Sequence, residues 1–167
     1  MQTRKPLFRP EALRPRLAGF HMPAAAVAAR PKLAHWAKLL GSKQADGMKE
    51  TELLPDFIRD VFGAVLGYTG PADGGDTYTL KREALVQVDG KYADAALGRF
   101  GPGASAFVVA VEGKGPKDPL DRPFAGRKLS AVQQGALYAL QLRIDWYLVT
   151  NLRETRLYHK GHDTSTY

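Results

Sequence analysis

Residues 107–111 read Phe107-Val108-Val109-Ala110-Val111, apolar at every position, and Glu112-Gly113-Lys114 follows at once. A strand covered on one face alternates apolar with polar residues, whereas an unbroken apolar run needs cover on both faces. A central strand with helices packed above and below meets that need, so the rest of the chain must supply the helices. At 167 residues, 44% of them hydrophobic, the chain is long enough for one such domain and too short for two large ones.

The flanking segments read accordingly. Residues 1–22 are rich in Arg and Pro and form an irregular arm. Ala-rich spacing from Pro23 to Leu40 predicts a helix with Leu33, Trp36 and Leu40 on one side, ended by Gly41. After a polar link, Ser42 to Lys49, the positions Leu54, Phe57, Ile58, Val61, Phe62, Val65 and Leu66 recur three or four apart and predict a second helix, stopped by Gly67. Thr69 to Asp76 is a loop.

Strand periodicity then begins. Tyr78, Leu80, Leu85, Val86 and Val88 mark a first strand, closed by a tight turn at Asp89-Gly90. A second runs from Tyr92 to Phe100, and Gly101-Pro102-Gly103 turns the chain into the apolar run. Ser130 with Gln133 is a capping box for a helix whose apolar face is Leu129, Val132, Ala136 and Leu140. Trp146 to Thr150 is a buried strand, paired with Arg156 to His159. The expected fold is α/β, a central mixed β-sheet flanked by helices.

Side chains alternate along a strand, so Glu112 and Lys114 project to one side while Gly113 points away. The apolar run thus brings a carboxylate and an ammonium group together to the rim of the sheet. Charges are ordinary where a buried strand emerges into water, and the preceding strand adds what makes this triplet informative. Asp94 opens Asp94-Ala95-Ala96-Leu97, and pairing through the Gly101–Gly103 turn can bring it beside Glu112. Two carboxylates a few ångströms apart repel, and a hard cation such as Mg²⁺, which takes oxygen ligands and keeps several waters, relieves the repulsion.

Asp94 followed by Glu112-Gly113-Lys114 at the end of an apolar strand resembles the PD-(D/E)XK nuclease superfamily. In the next helix, Gln134-Gly135-Ala136-Leu137-Tyr138 resembles the Gln-x-x-x-Tyr element of its RecB-like branch. Leu66-Gly67-Tyr68, and Val149-Thr150-Asn151 with Arg156-Leu157-Tyr158, look like the N-terminal nuclease domains of fused type IIG restriction–modification enzymes. The similarity spans residues 50–160, with 1–49 as an N-terminal arm and helix and 161–167 as a tail.

The resemblance implies a restriction-endonuclease-like core and a Mg²⁺-dependent endonuclease of double-stranded DNA, with Mn²⁺ able to substitute. It implies Asp94, Glu112 and the Gly113 carbonyl as metal ligands and Lys114 as the group serving the attacking water. Gln134 would orient that water or Lys114, and Tyr138 would brace Gln134. The family also places an acid in its first core helix. Glu52 fits best and Glu50 is the fallback, because Pro55, which has no N–H to donate, would start the helix only near Leu54. The fused enzymes carry adenine methyltransferase and target recognition domains that this chain lacks. It is therefore expected to be a piece of a longer enzyme or a standalone relative, pairing with a second copy to cut both strands. A RecB-like repair nuclease and a non-catalytic DNA-binding module of the same fold are the alternatives.

Charge supports a polyanionic partner: the formal net charge is +7. Within the loop from Gly115 to Lys128, the residues Lys117, Arg122, Arg127 and Lys128 are candidate DNA contacts. With no cysteine there is neither disulfide nor thiolate metal site, which fits a cytoplasmic location. No apolar run is long enough to span a membrane. His159 and His162 lack a third metal ligand, and Asp73-Gly74-Gly75-Asp76 reads as a turn.

Overall fold

A computed structural model describes residues 5–85 and 92–167. The expected strand residues Val86 and Val88 and the Asp89-Gly90 turn lie outside the described residues. Five strands, β1 (Tyr78–Leu85), β2 (Tyr92–Gly101), β3 (Ala104–Gly113), β4 (Trp146–Thr150) and β5 (Thr155–His159), form one sheet in the order β1-β2-β3-β4-β5. Pairing is antiparallel except between β3 and β4, which run parallel. Parallel neighbours need a crossover, and α5 (Ala131–Gln141) supplies it. The fold is thus α/β with a mixed sheet and helices.

Two apolar clusters sandwich the sheet. On one face Leu53, Leu54, Phe57, Ile58 and Phe62 pack with Trp36 and Leu40 against Leu80, Ala95, Leu97 and Val111. On the other, Val132, Tyr138 and Ala139 of α5 pack against Ala96, Ala110, Tyr147, Val149 and Tyr158. The apolar run is covered on both faces only at its far end. Val108 is exposed, whereas Ala110, Val111, Glu112 and Gly113 are buried.

The N-terminal region is more regular than its composition predicts. Pro10–Leu17 forms α1, which buries nothing, so its helicity rests on local propensity and a proline in its first turn. The single helix expected over 23–40 is two, α2 (Ala24–Ala28) and α3 (Arg30–Gly41). Pro31 cannot continue a preceding helix but suits the first turn of a new one. Trp36 of α3 sets its ring edge-on to Phe57, centroids 5.3 Å apart, so packing runs straight across the boundary expected at residue 49. The expected tail also folds back: Thr166 bridges to Lys5, and the Tyr167 ring lies 5.3 Å from that of Tyr158.

The next helix, α4 (Glu50–Phe57), begins four residues before the expected start and holds Pro55 in its interior. Its first turn is closed by the Glu52 carboxylate, which accepts the Lys49 N–H at 2.6 Å. From Ile58 to Val65 the backbone widens to a π-helical pattern, and Gly67 follows its last turn.

In α5 the Ser130–Gln133 capping box forms as expected, with reciprocal bonds of 3.1 and 2.9 Å. The buried face differs from the expected one. Leu129 and Leu140 point outward, while Ala131, Val132, Gly135, Tyr138 and Ala139 are buried. Gly135 explains the choice: a β-carbon there would come within 2.9 Å of the Tyr147 ring and 3.1 Å of Val149. The helix lies so close to β4 that small residues, not the leucines, must face the sheet.

Candidate active site

Asp94, Glu112 and Lys114 come together where β2, β3 and α4 meet. Backbone pairing between β2 and β3 ends at Ala95 opposite Val111. Beyond it the Asp94 side chain takes over: its Oδ2 accepts the Gly113 N–H at 2.7 Å. At Gly113 a β-carbon would fall 2.5 Å from Cδ2 and 2.6 Å from Cδ1 of Leu54 in α4, and the buried leucine would have to shift. Gly113 thus lets α4 sit directly against the end of β3.

Glu112 and Lys114 share one side of β3 and form an ion pair. They are not rim residues as the sequence predicts, being only 1% and 6% exposed. The reason is that β4 extends the sheet past them: Glu112 stands opposite Val149, and the Lys114 N–H donates to the Thr150 carbonyl at 2.8 Å. The Glu112 and Asp94 carboxyls are near enough to act on each other electrostatically. Burial, and then the neighbouring Asp94, push the Glu112 pKa up to about 8 despite Lys114. Asp94 is raised too, chiefly by burial, with the Gly113 N–H pulling it back.

The structure corrects the choice of acid from α4. The Glu52 carboxylate is spent capping its own helix. Glu50 is the residue that faces the centre. Burial raises its pKa, Lys114 and Arg127 lower it, and Asp94 and Asp118 raise it. The helix starts at Glu50 rather than near Leu54, and this turns Glu50 inward.

Gln134 and Tyr138 are brought together, the Gln134 Nε2 donating to the Tyr138 hydroxyl at 2.7 Å. Tyr138 does not lie on a polar helix face. It is buried in the α5 core, and burial raises its pKa, with smaller contributions from Glu112 and Asp94.

The loop after Lys114 divides in two. Its first half is pinned: the Arg153 guanidinium donates to the Pro116 carbonyl at 3.1 Å, Asn151 to the Asp118 carbonyl at 3.0 Å, and Leu120 is buried. Its second half, residues 121–129, is exposed. Lys117, Arg122 and Lys128 are exposed, with no ion pair among the described residues. Arg127 is different, pairing with Asp118 and, at 3.4 Å, with Glu50. Asp118 was not singled out from sequence, since no periodicity predicts how a proline-rich loop folds back.

Four carboxyls, Asp94, Glu112, Glu50 and Asp118, therefore surround two cations, Lys114 and Arg127, leaving two negative charges if all ionise. No group of three or more His, Cys, Asp or Glu side chains among the described residues converges tightly enough to hold a metal by itself. A Mg²⁺ ion needs fewer, one or two carboxylates completed by water, and the neighbouring Asp94 and Glu112 carboxyls fit that donor set.

No family model matches this chain, and neither the curated proteins nor the solved structures contain a match. Among the described residues, no helix is long and apolar enough to cross a membrane.

Proposed function

We propose that this protein is a divalent-cation-dependent DNA endonuclease built on a restriction-endonuclease-like core. The observation that carries the reading is the convergence of Asp94, bonded to the Gly113 N–H, with the buried Glu112 and the Lys114 amine that pairs with it. Setting two ionisable carboxyls side by side away from water is costly, and a structural core gains nothing from it; a site that must hold a cation does.

Asp94, Glu112 and the Gly113 carbonyl would hold Mg²⁺ or Mn²⁺, which when bound acidifies water and offsets charge building on a phosphate. Lys114 sits beside these ligands, where its ammonium group can orient the attacking water and face the phosphate oxygens. Gln134 is hydrogen-bonded to Tyr138 and would supply a further polar contact to that water. Lys117, Arg122 and Lys128 would bind the backbone of double-stranded DNA without reading sequence.

A role as the cleavage module of a type IIG-like restriction–modification enzyme, working with methyltransferase and target recognition domains, follows from the family resemblance. A RecB-like repair nuclease would use the same centre, and the Gln134–Tyr138 bond suits it equally. Dependence of cleavage on free DNA ends separates the two. The test of the central reading is Mn²⁺ binding and DNA cleavage by the purified protein. Both should be present, Asp94→Asn should weaken the first, and Lys114→Met should remove the second. Salt-sensitive DNA binding that ignores the metal, with no cleavage, would instead leave a non-catalytic binding module.

A further inference from the structure

We propose that Arg127 is a catalytic residue of this centre, contacting the scissile phosphate once a divalent cation has drawn Glu50 away from it. The inference rests on the nuclease reading and concerns a residue whose position in a basic loop marks it as a simple DNA contact.

Three observations set Arg127 apart from its neighbours. Lys117, Arg122 and Lys128 point into water unpaired among the described residues, but the Arg127 guanidinium, though exposed, is paired with Asp118 and Glu50. The backbone is bent to achieve this. Ala125 and Gly126 both take left-handed conformations, at φ 53° and 78°, and the Arg127 N–H closes the turn onto the Phe124 carbonyl. A left-handed alanine costs free energy, and the turn it builds is the one that carries Arg127 to Asp118 and Glu50. Finally, its partners are fixed elements of the site. Glu50 stands at the start of α4, and the Asp118 carbonyl is held by Asn151.

In this arrangement Arg127 is the positive charge balancing the outer carboxylates. With a cation held at Asp94 and Glu112, the Glu50 carboxylate would be drawn towards that charge and its 3.4 Å pairing with Arg127 would loosen. Once released, the guanidinium remains anchored at Asp118, within reach of a phosphate seated on the same centre. Its planar fork then donates to the non-bridging oxygens. In the hydrolysis itself the water oxygen bonds to phosphorus and gives up a proton. The ester oxygen leaves with the bonding electron pair and takes up a proton. Arg127 stays protonated throughout.

The test compares Arg127→Ala, Arg127→Lys and a Lys117/Lys128 double glutamine variant in Mn²⁺ titration, metal-free DNA binding and single-turnover cleavage. Arg127→Ala should bind Mn²⁺ about tenfold more tightly, because a competing charge is gone. Its cleavage rate should fall roughly 100- to 1,000-fold at saturating DNA, with DNA affinity little changed. Arg127→Lys should return Mn²⁺ affinity towards that of the wild type without restoring the rate. The double variant should weaken metal-free DNA binding and leave Mn²⁺ affinity near that of the wild type, the opposite of Arg127→Ala on both readouts. Arg127→Ala behaving like the double variant would reduce Arg127 to a DNA contact and overturn the proposal, and so would unchanged Mn²⁺ affinity. A wild-type protein that neither binds Mn²⁺ nor cuts DNA would sink the nuclease reading itself, and this proposal with it.

Discussion

Replacing Glu112 by Gln should flatten the pH dependence of this protein's stability. Glu112 is 1% exposed, and burial with Asp94 alongside raises its pKa from 4.5 to about 8. Between those values the folded protein holds a proton that the unfolded chain has already released. Stability is therefore complete below the lower value and falls as pH rises through the upper one, at about 1.4 kcal/mol per pH unit. Over the whole window the loss amounts to roughly 3–6 kcal/mol. Gln mimics the protonated carboxyl, keeps an acceptor for the Lys114 amine and cannot titrate, so only the slope should change. Urea unfolding of both proteins in EDTA, from about pH 5 to about pH 8, measures it. The difference in stability between variant and wild type should grow with pH across that range. Parallel curves would show that Glu112 is ionised at neutral pH in the folded protein, and the electrostatic argument for a cation site would fail.

Three further outcomes are expected. Gly113→Ala should destabilise the protein by about 1–3 kcal/mol, because the new methyl group overlaps Leu54. Adding Leu54→Ala should cost less than the sum of the two single changes, which a double-mutant cycle in denaturant would read. Arg156 is buried and donates to Glu154, Asp121 and the Tyr158 hydroxyl. Arg156→Ala should cost only about 2 kcal/mol, since both carboxylates can return to water, while limited proteolysis within 121–129 accelerates as the Asp121 anchor is lost. Changing Lys117, Arg122 and Lys128 together to Gln should lower the salt dependence of DNA binding by about two to three charges. An unchanged slope in a salt series would place the DNA elsewhere.

The strands were legible in the sequence because their signals are local. Trp146–Thr150 has the expected bounds, and β2 and β5 differ from expectation by one residue each. Burial was less legible because it depends on partners far along the chain. Leu129 and Leu140 have the apolar character of core residues, yet the close approach of α5 to β4 gives the buried face to Gly135 and Ala139. Val108 stays exposed for the complementary reason: helical cover stops short of the first half of β3.

The same division runs through the site. Asp94, Glu112 and Lys114 could be named from strand alternation and one turn, both short-range geometry. The acid from α4 could not, because the choice between Glu50 and Glu52 turns on where one helix begins. Pro55 argues for a late start on propensity alone. The capping bond from Glu52 to the Lys49 N–H and the burial of Leu53, Leu54 and Phe57 favour an early one, and together they outweigh a single missing backbone bond. Once the helix begins at Glu50, two residues of helical rotation, about 200°, separate the two acids. Glu52 must then cap while Glu50 faces Asp94 and Lys114. A variant with Glu52→Ala should therefore lose about 1 kcal/mol of stability and keep its affinity for Mn²⁺. Glu50→Gln should keep its stability and bind the ion more weakly, and the opposite pattern would return the role to Glu52.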